Sequence, residues 1–186
     1  MQQTARKKNL LIIEESANRK LMQNLLFEVA VKYATSNKYV IFVTEKPIDQ
    51  VSRKVLHDYN NIYKMIIFIY TKSVQTALQK LNDIQQWNFT PSLVIIESIH
   101  DLLHASGDHT NYMHCLFIST VLDTVQYFSQ KQHDSCQCIF SVTKDIFTTG
   151  KVSFEMYFRE ENVIDGQTIT SCTDFLDILR ECLVTQ

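Results

Sequence analysis

The sequence predicts an α/β domain with a mostly parallel central sheet and a C-terminal antiparallel hairpin. Three observations lead there. Apolar runs of strand length alternate with longer segments whose apolar residues recur at helical spacing. The early strand-length runs are apolar almost throughout, as strands covered on both faces are. After residue 150 the pattern changes, and two β-rich segments flank the turn signal Asp165-Gly166. The chain has 186 residues, 45% hydrophobic and 20% charged, which is enough for one sizeable core. No repeat and no Pro-, Ser- or Gly-rich linker divides it. Residues 1–8 therefore read as a basic tail carrying Arg6-Lys7-Lys8, and residues 9–186 as a single domain.

Residues 9–13 predict a buried strand. Leu21, Leu25, Leu26, Val29 and Tyr33 then mark a helix, and residues 39–44 a second strand, which makes a βαβ unit. Lys46-Pro47 ends that strand, residues 48–59 read as a short helical piece, and residues 64–70 as a third strand. Val74, Ala77, Leu78, Leu81 and Ile84 form the buried stripe of the next helix, and Thr90-Pro91 breaks the chain before the strand at 93–97. Ser106-Gly107-Asp108 leads into a long helix over residues 110–130, followed by a fifth strand at 138–143. Residues 152–158 and 167–172 are the expected hairpin strands, and residues 173–184 a closing helix.

Composition narrows the function. The formal charge is −2, so contact with nucleic acid or an anionic membrane requires a local patch. The apolar run at 65–70 is far shorter than the ~20 residues that span a bilayer, and the first nine residues lack the apolar stretch of a signal peptide, so a reducing compartment is expected. The five cysteines, an odd number without framework spacing, read as free thiols packed as small apolar residues. The three glycines are Gly107, Gly150 and Gly166, so the first hundred residues hold none of the residue that takes positive φ freely. A working P-loop or dinucleotide fingerprint is excluded on that ground.

The place where a nucleotide-binding βαβ unit carries its glycine-rich turn reads Ile13-Glu14-Glu15-Ser16-Ala17-Asn18-Arg19-Lys20-Leu21. Against G-x-x-x-x-G-K-[ST], Glu14 takes the first glycine and Arg19 the second, Lys20 matches the lysine, and Leu21 replaces the hydroxyl residue. A left-handed position filled by a residue other than glycine costs roughly 1–2 kcal/mol. Glu14 and Glu15 also put negative charge where phosphate would arrive, so the two acids are expected to replace a nucleotide, with some gain from the helix dipole. The second half of a P-loop ATPase site is an apolar strand ending in an acid, and Leu93-Val94-Ile95-Ile96-Glu97 has that form.

With Lys46-Pro47 after the second strand and Thr90-Pro91-Ser92 before residues 93–97, the order of elements resembles the RecA-type core of recombinase paralogs. It is most similar to the ATPase-like subunits that pair with SWIM-domain zinc proteins in Shu-type homologous-recombination complexes. Residues 11–48 and 78–103 carry the likeness. The resemblance implies a RecA-like three-layer fold, with Lys20 at the Walker A lysine and Glu97 at the Walker B acid. It implies a nuclear, non-catalytic subunit without a cofactor that supports recombinase filaments on single-stranded DNA. The implied partners are a SWIM-domain zinc protein and a strand-exchange recombinase or its paralogs. The same likeness admits a second assembly, the ring of inactive RecA-like subunits in the tRNA-modifying Elongator.

Other constellations in the sequence compete with this one. His100 and His104 stand at i and i+4, the spacing of a zinc-dependent hydrolase helix, yet Ser106-Gly107 follows at once, and a short surface helix explains them as well. Phe27-Glu28-Val29-Ala30 has the F-x-x-A shape of recombinase docking segments, but Phe27 falls on the first helix as a core or helix-face residue. Cys136 and Cys138 share one side of an extended segment and read as packing. Residues 144–151 are expected to form a loop in which Lys144 and Lys151 contact phosphate and Phe147 stacks on a base. A solvated loop with Phe147 tucked into the core is the competing reading. Residues 155–186 oppose DNA contact, with Glu155, Glu160, Glu161, Asp165, Asp174, Asp177 and Glu181 against Arg159 and Arg180.

Overall fold

The structure, a computed structural model, describes residues 9–48, 60–84, 86, 88–98, 111–131, 135–169 and 171–184. Its elements in chain order are β1 (Asn9–Glu14), α1 (Arg19–Thr35), β2 (Val40–Thr44), α2 (Asn60–Tyr63), β3 (Ile66–Tyr70), α3 (Val74–Ile84) and β4 (Leu93–Ile96). They continue with α4 (Asn111–Lys131), β5 (Gln137–Thr143), α5 (Lys144–Thr149), α6 (Lys151–Tyr157), β6 (Val163–Asp165) and α7 (Cys172–Val184). The strands form one open sheet in the order β3-β2-β4-β5-β1-β6, and every neighbouring pair is parallel.

Side chains of the central strands alternate between two buried clusters, one on each face of the sheet, which is why the runs are apolar at every position. Leu10, Ile12, Val40, Phe42, Leu93 and Ile95 face α1, α2 and α7. Leu11, Ile41, Val43, Val94, Ile96 and Phe140 face α3, α4 and α6. The result is a three-layer arrangement of helices, sheet and helices. Phe27 is buried in the first cluster, its ring 6.2 Å from that of Tyr63 and 6.1 Å from that of Phe68. Cys136 and Cys138 are both buried in the second, and burial holds the Cys138 thiol well above its ordinary range. Cys115, Cys136, Cys138 and Cys172 are free thiols.

The antiparallel hairpin is not formed. Residues 152–158 lie in and just beyond α6, with Ser153, Phe154 and Phe158 buried at helical spacing. Phe154 N–H donates to Gly150 O at 3.1 Å, and Phe158 N–H to Phe154 O at 2.8 Å. The aromatic and β-branched composition of Val-Ser-Phe-Glu-Met-Tyr-Phe favours strand, but burying one helical face against α4 and β5 outweighs it. Residues 166–168 form a 3-10 turn before α7, and the sixth strand is the short β6, added parallel to β1 with Leu11 opposite Val163. Gly166 is required there because a Cβ would come within 2.9 Å of the Ile13 carbonyl oxygen. Residues 144–151 are helical in α5 and at the start of α6, where a loop was expected. Apart from buried Ile48, the helical piece expected at 48–59 lies outside the described residues.

Connections fix where a site can form. The helices after β1 and β2 pack on one face, whereas those after β4 and β5 pack on the other. The carboxyl ends of β2, β4, β5 and β1 therefore border the crevices where the winding reverses, the usual place for a ligand in an open α/β sheet.

Candidate functional site

Glu14 ends β1 and Glu97 follows β4, so both carboxyl groups reach the carboxyl edge of the sheet with β5 between them. Both are buried, at 2% and 3% exposure. Ser98 joins them. Its Oγ lies 2.9 Å from Glu97 Oε1 and 3.3 Å from Glu14 Oε1, and it accepts the Arg19 Nε–H at 3.0 Å. The Ser98 N–H donates to Ser141 Oγ at 2.9 Å, and the Ser141 hydroxyl is hydrogen-bonded to Glu14. Thr44, at the end of β2, donates its hydroxyl to Glu97 Oε2 at 2.5 Å. Four strand ends and the first turn of α1 thus meet in one network.

Ser98 stands at φ 53°, in the left-handed region that costs a residue with a side chain roughly 1–2 kcal/mol. The bonds at its amide and hydroxyl hold it there. Burial, together with the nearby charge of Glu97, pushes the Glu14 carboxyl up to about 7; Arg19 and the two serine hydroxyls pull the other way and only partly offset this.

Two clefts flank the network. The first, about 340 Å³, has Arg19 and Lys20 from α1, Thr44 and Lys46 from the end of β2, and Glu97 among its lining residues. Lys20 and Glu97, 77 positions apart in sequence, therefore line the same cleft. The second, about 330 Å³, lies on the other side of β1 and is lined by Ile13, Glu14, Glu15, Lys144, Phe147 and Lys151 among others. The three residues expected to contact DNA converge there.

The turn between β1 and α1 is closed without a phosphate cradle. Residues 16–18 form a 3-10 turn, with Asn18 N–H donating to Glu15 O at 2.9 Å. Among the described residues the positive φ values outside glycine belong to Asn37 and Ser98, so no position from 14 to 21 takes left-handed geometry. Leu21 is half exposed.

The two acids act differently from the expectation of direct repulsion. Glu14 turns inward to Ser98 and does not line the Lys20 cleft. Glu15 makes no capping bond; its Oε1 accepts from Lys144 Nζ at 3.0 Å and from Gln167 Nε2 at 3.1 Å. That pairing raises the Lys144 ammonium above its ordinary range. It engages one of the cations expected to contact DNA, although water screens an exposed pair of this kind. Phe147 packs against the core, 5.7 Å from the Phe154 ring, which favours the tucked reading over a free stacking platform.

Sequence reasoning missed Thr44, Ser98 and Ser141. Small hydroxyls belong to no spacing motif, and the only hint was that Ser98 follows the acid at the end of an apolar strand. His100 and His104 lie outside the described residues, among which no cluster of three or more His, Cys, Asp or Glu side chains is placed to hold a metal. No helix among the described residues is long and apolar enough to cross a membrane. No protein-family model matches the chain, and no curated protein matches it either.

Proposed function

We propose that this chain is a RecA-like subunit whose nucleotide site has lost its phosphate cradle, and that it works by holding partners rather than by catalysis. The observation that carries the reading is the shared cleft. Lys20 opens the helix after the first strand and Glu97 ends an apolar strand two positions away in the sheet. Both line one crevice, as the two halves of a P-loop site would. Around that crevice the phosphate-binding parts are replaced. Glu14 occupies the first glycine position and is bonded inward through Ser98, and the turn that follows is 3-10. Arg19, at the second glycine position, places its Nε–H on Ser98, so its charge is directed at the protein's own carboxyl groups.

On this reading the chain is a nuclear component of a Shu-type homologous-recombination complex. Its partners are a SWIM-domain zinc protein and a strand-exchange recombinase or its paralogs. A domain that no nucleotide stabilises or switches draws both from a partner. Contact with single-stranded DNA belongs mainly to the complex, since the Lys144–Phe147–Lys151 cleft also holds Glu14, Glu15 and Asp165. Affinity purification of the tagged full chain from its own cells tests the assignment. Recovery of a SWIM-domain protein in near-stoichiometric amount is expected, and recovery of tRNA-modifying Elongator subunits instead would replace the recombination role with the second assembly.

A further inference from the structure

We propose that Glu14 and Glu97 share a single proton through the Ser98 hydroxyl, forming a pH-sensitive latch that holds the first turn of α1 against the carboxyl edge of the sheet. The argument is a count of protons. A serine hydroxyl has one hydrogen to give and two lone pairs to receive with. Ser98 Oγ accepts from Arg19 Nε and stands within hydrogen-bond distance of a carboxyl oxygen of each glutamate, at 2.9 Å for Glu97 and 3.3 Å for Glu14. It donates to Glu97, the nearer. Its contact with Glu14 is then a hydrogen bond only when Glu14 carries the proton and donates. With both acids ionised, the Thr44 hydroxyl still serves Glu97 and the Ser141 hydroxyl still serves Glu14, but a single hydrogen is left for the two contacts at Ser98, and two buried like charges face each other across it, a costly arrangement.

In the one-proton state the pair carries a single negative charge beside the single positive charge of Arg19. Among the described residues, the other charged groups near Glu14 are Glu15, Lys144, Lys151 and Asp165 around its own cleft. Lys20, Glu45 and Lys46 surround the cleft of Glu97. Lys144 is directed to Glu15 at 3.0 Å, and Arg19 is the cation seated on the bridging hydroxyl. Burial and the Glu97 charge put the proton's release near neutrality, at about 7. Above that point Glu14 and Glu97 compete as acceptors for the one Ser98 hydrogen, and the Arg19 turn that closes over it opens more often.

Hydrogen exchange of the full chain between pH 5.5 and 8.5, corrected for the intrinsic dependence on pH, reads the latch directly. The opening equilibrium of amides in residues 19–25 is expected to rise on the order of tenfold across this window in the wild type, as one proton lost from a buried group requires. It should stay flat in Glu14→Gln, which keeps the shape of the protonated acid. A flat wild type, or an equal rise in the variant, overturns the proposal. Should the variant fail to fold, carbon-detected titration of the wild-type glutamate carboxyl groups decides. One carboxyl titrating near neutrality is expected; all of them titrating below pH 5 refutes the shared proton.

Discussion

Glu14 is the residue on which the chemistry of the site turns. Burial and the charge of Glu97 push its carboxyl in the folded chain from the ordinary value of 4.5 up to about 7. Between those values the folded state holds a proton that the unfolded state has released, so stability falls as pH rises through this window and levels off above it. Most carboxylates act with the opposite sign. Glu14→Gln removes the dependence, and denaturant unfolding at pH 5 and pH 8.5 should show the variant gaining up to about 3 kcal/mol on the wild type at the higher pH. Ser98 contributes by geometry. Replacing it with alanine keeps the amide bond to Ser141 but leaves a left-handed residue without its hydroxyl bonds, and a loss of roughly 1–3 kcal/mol is expected in the same assay.

At the scale of elements, two tight places hold the C-terminal third to the sheet. A Cβ on Gly150 would come within 2.6 Å of His114 Nδ1, where α4 meets α6, and a Cβ on Gly166 within 2.9 Å of the Ile13 carbonyl oxygen. A side chain can turn aside; a strand carbonyl cannot. Gly166→Ala should therefore cost roughly 1–3 kcal/mol of overpacking, read as a lower midpoint of thermal unfolding. Most of the fold up to β5 was legible in the sequence, because strands buried on both faces leave uninterrupted apolar runs and the helices between them repeat at 3.6. The last third was not. In residues 152–158 the strand-forming composition and the helical spacing of Phe154 and Phe158 pointed different ways, and packing decided for helix. β6 is three residues long and half-buried at the sheet edge, too short to leave a pattern. Of the site, the pair Lys20 and Glu97 was legible as two halves of a known spacing. The Thr44–Ser98–Ser141 bridge was not, since it exists only once β1, β2, β4 and β5 are side by side.

For the whole molecule, the parallel sheet gathers the chemistry at one edge and then closes it. The crevice beside β1 holds Lys20 and Glu97 among its lining residues, while the Thr44, Ser98 and Ser141 hydroxyls beside it are bonded to the chain's own carboxyl groups. On the proposed function, Lys20→Ala should leave folding and recovery of the proposed SWIM-domain protein unchanged in parallel affinity purifications, because the ammonium is exposed at the cleft. The most direct measurement is a calorimetric titration of the full chain with ATP and Mg²⁺ up to millimolar nucleotide. The proposed loss of the phosphate cradle predicts no saturable heat; saturable binding that Lys20→Ala abolishes would mean the crevice still holds a triphosphate.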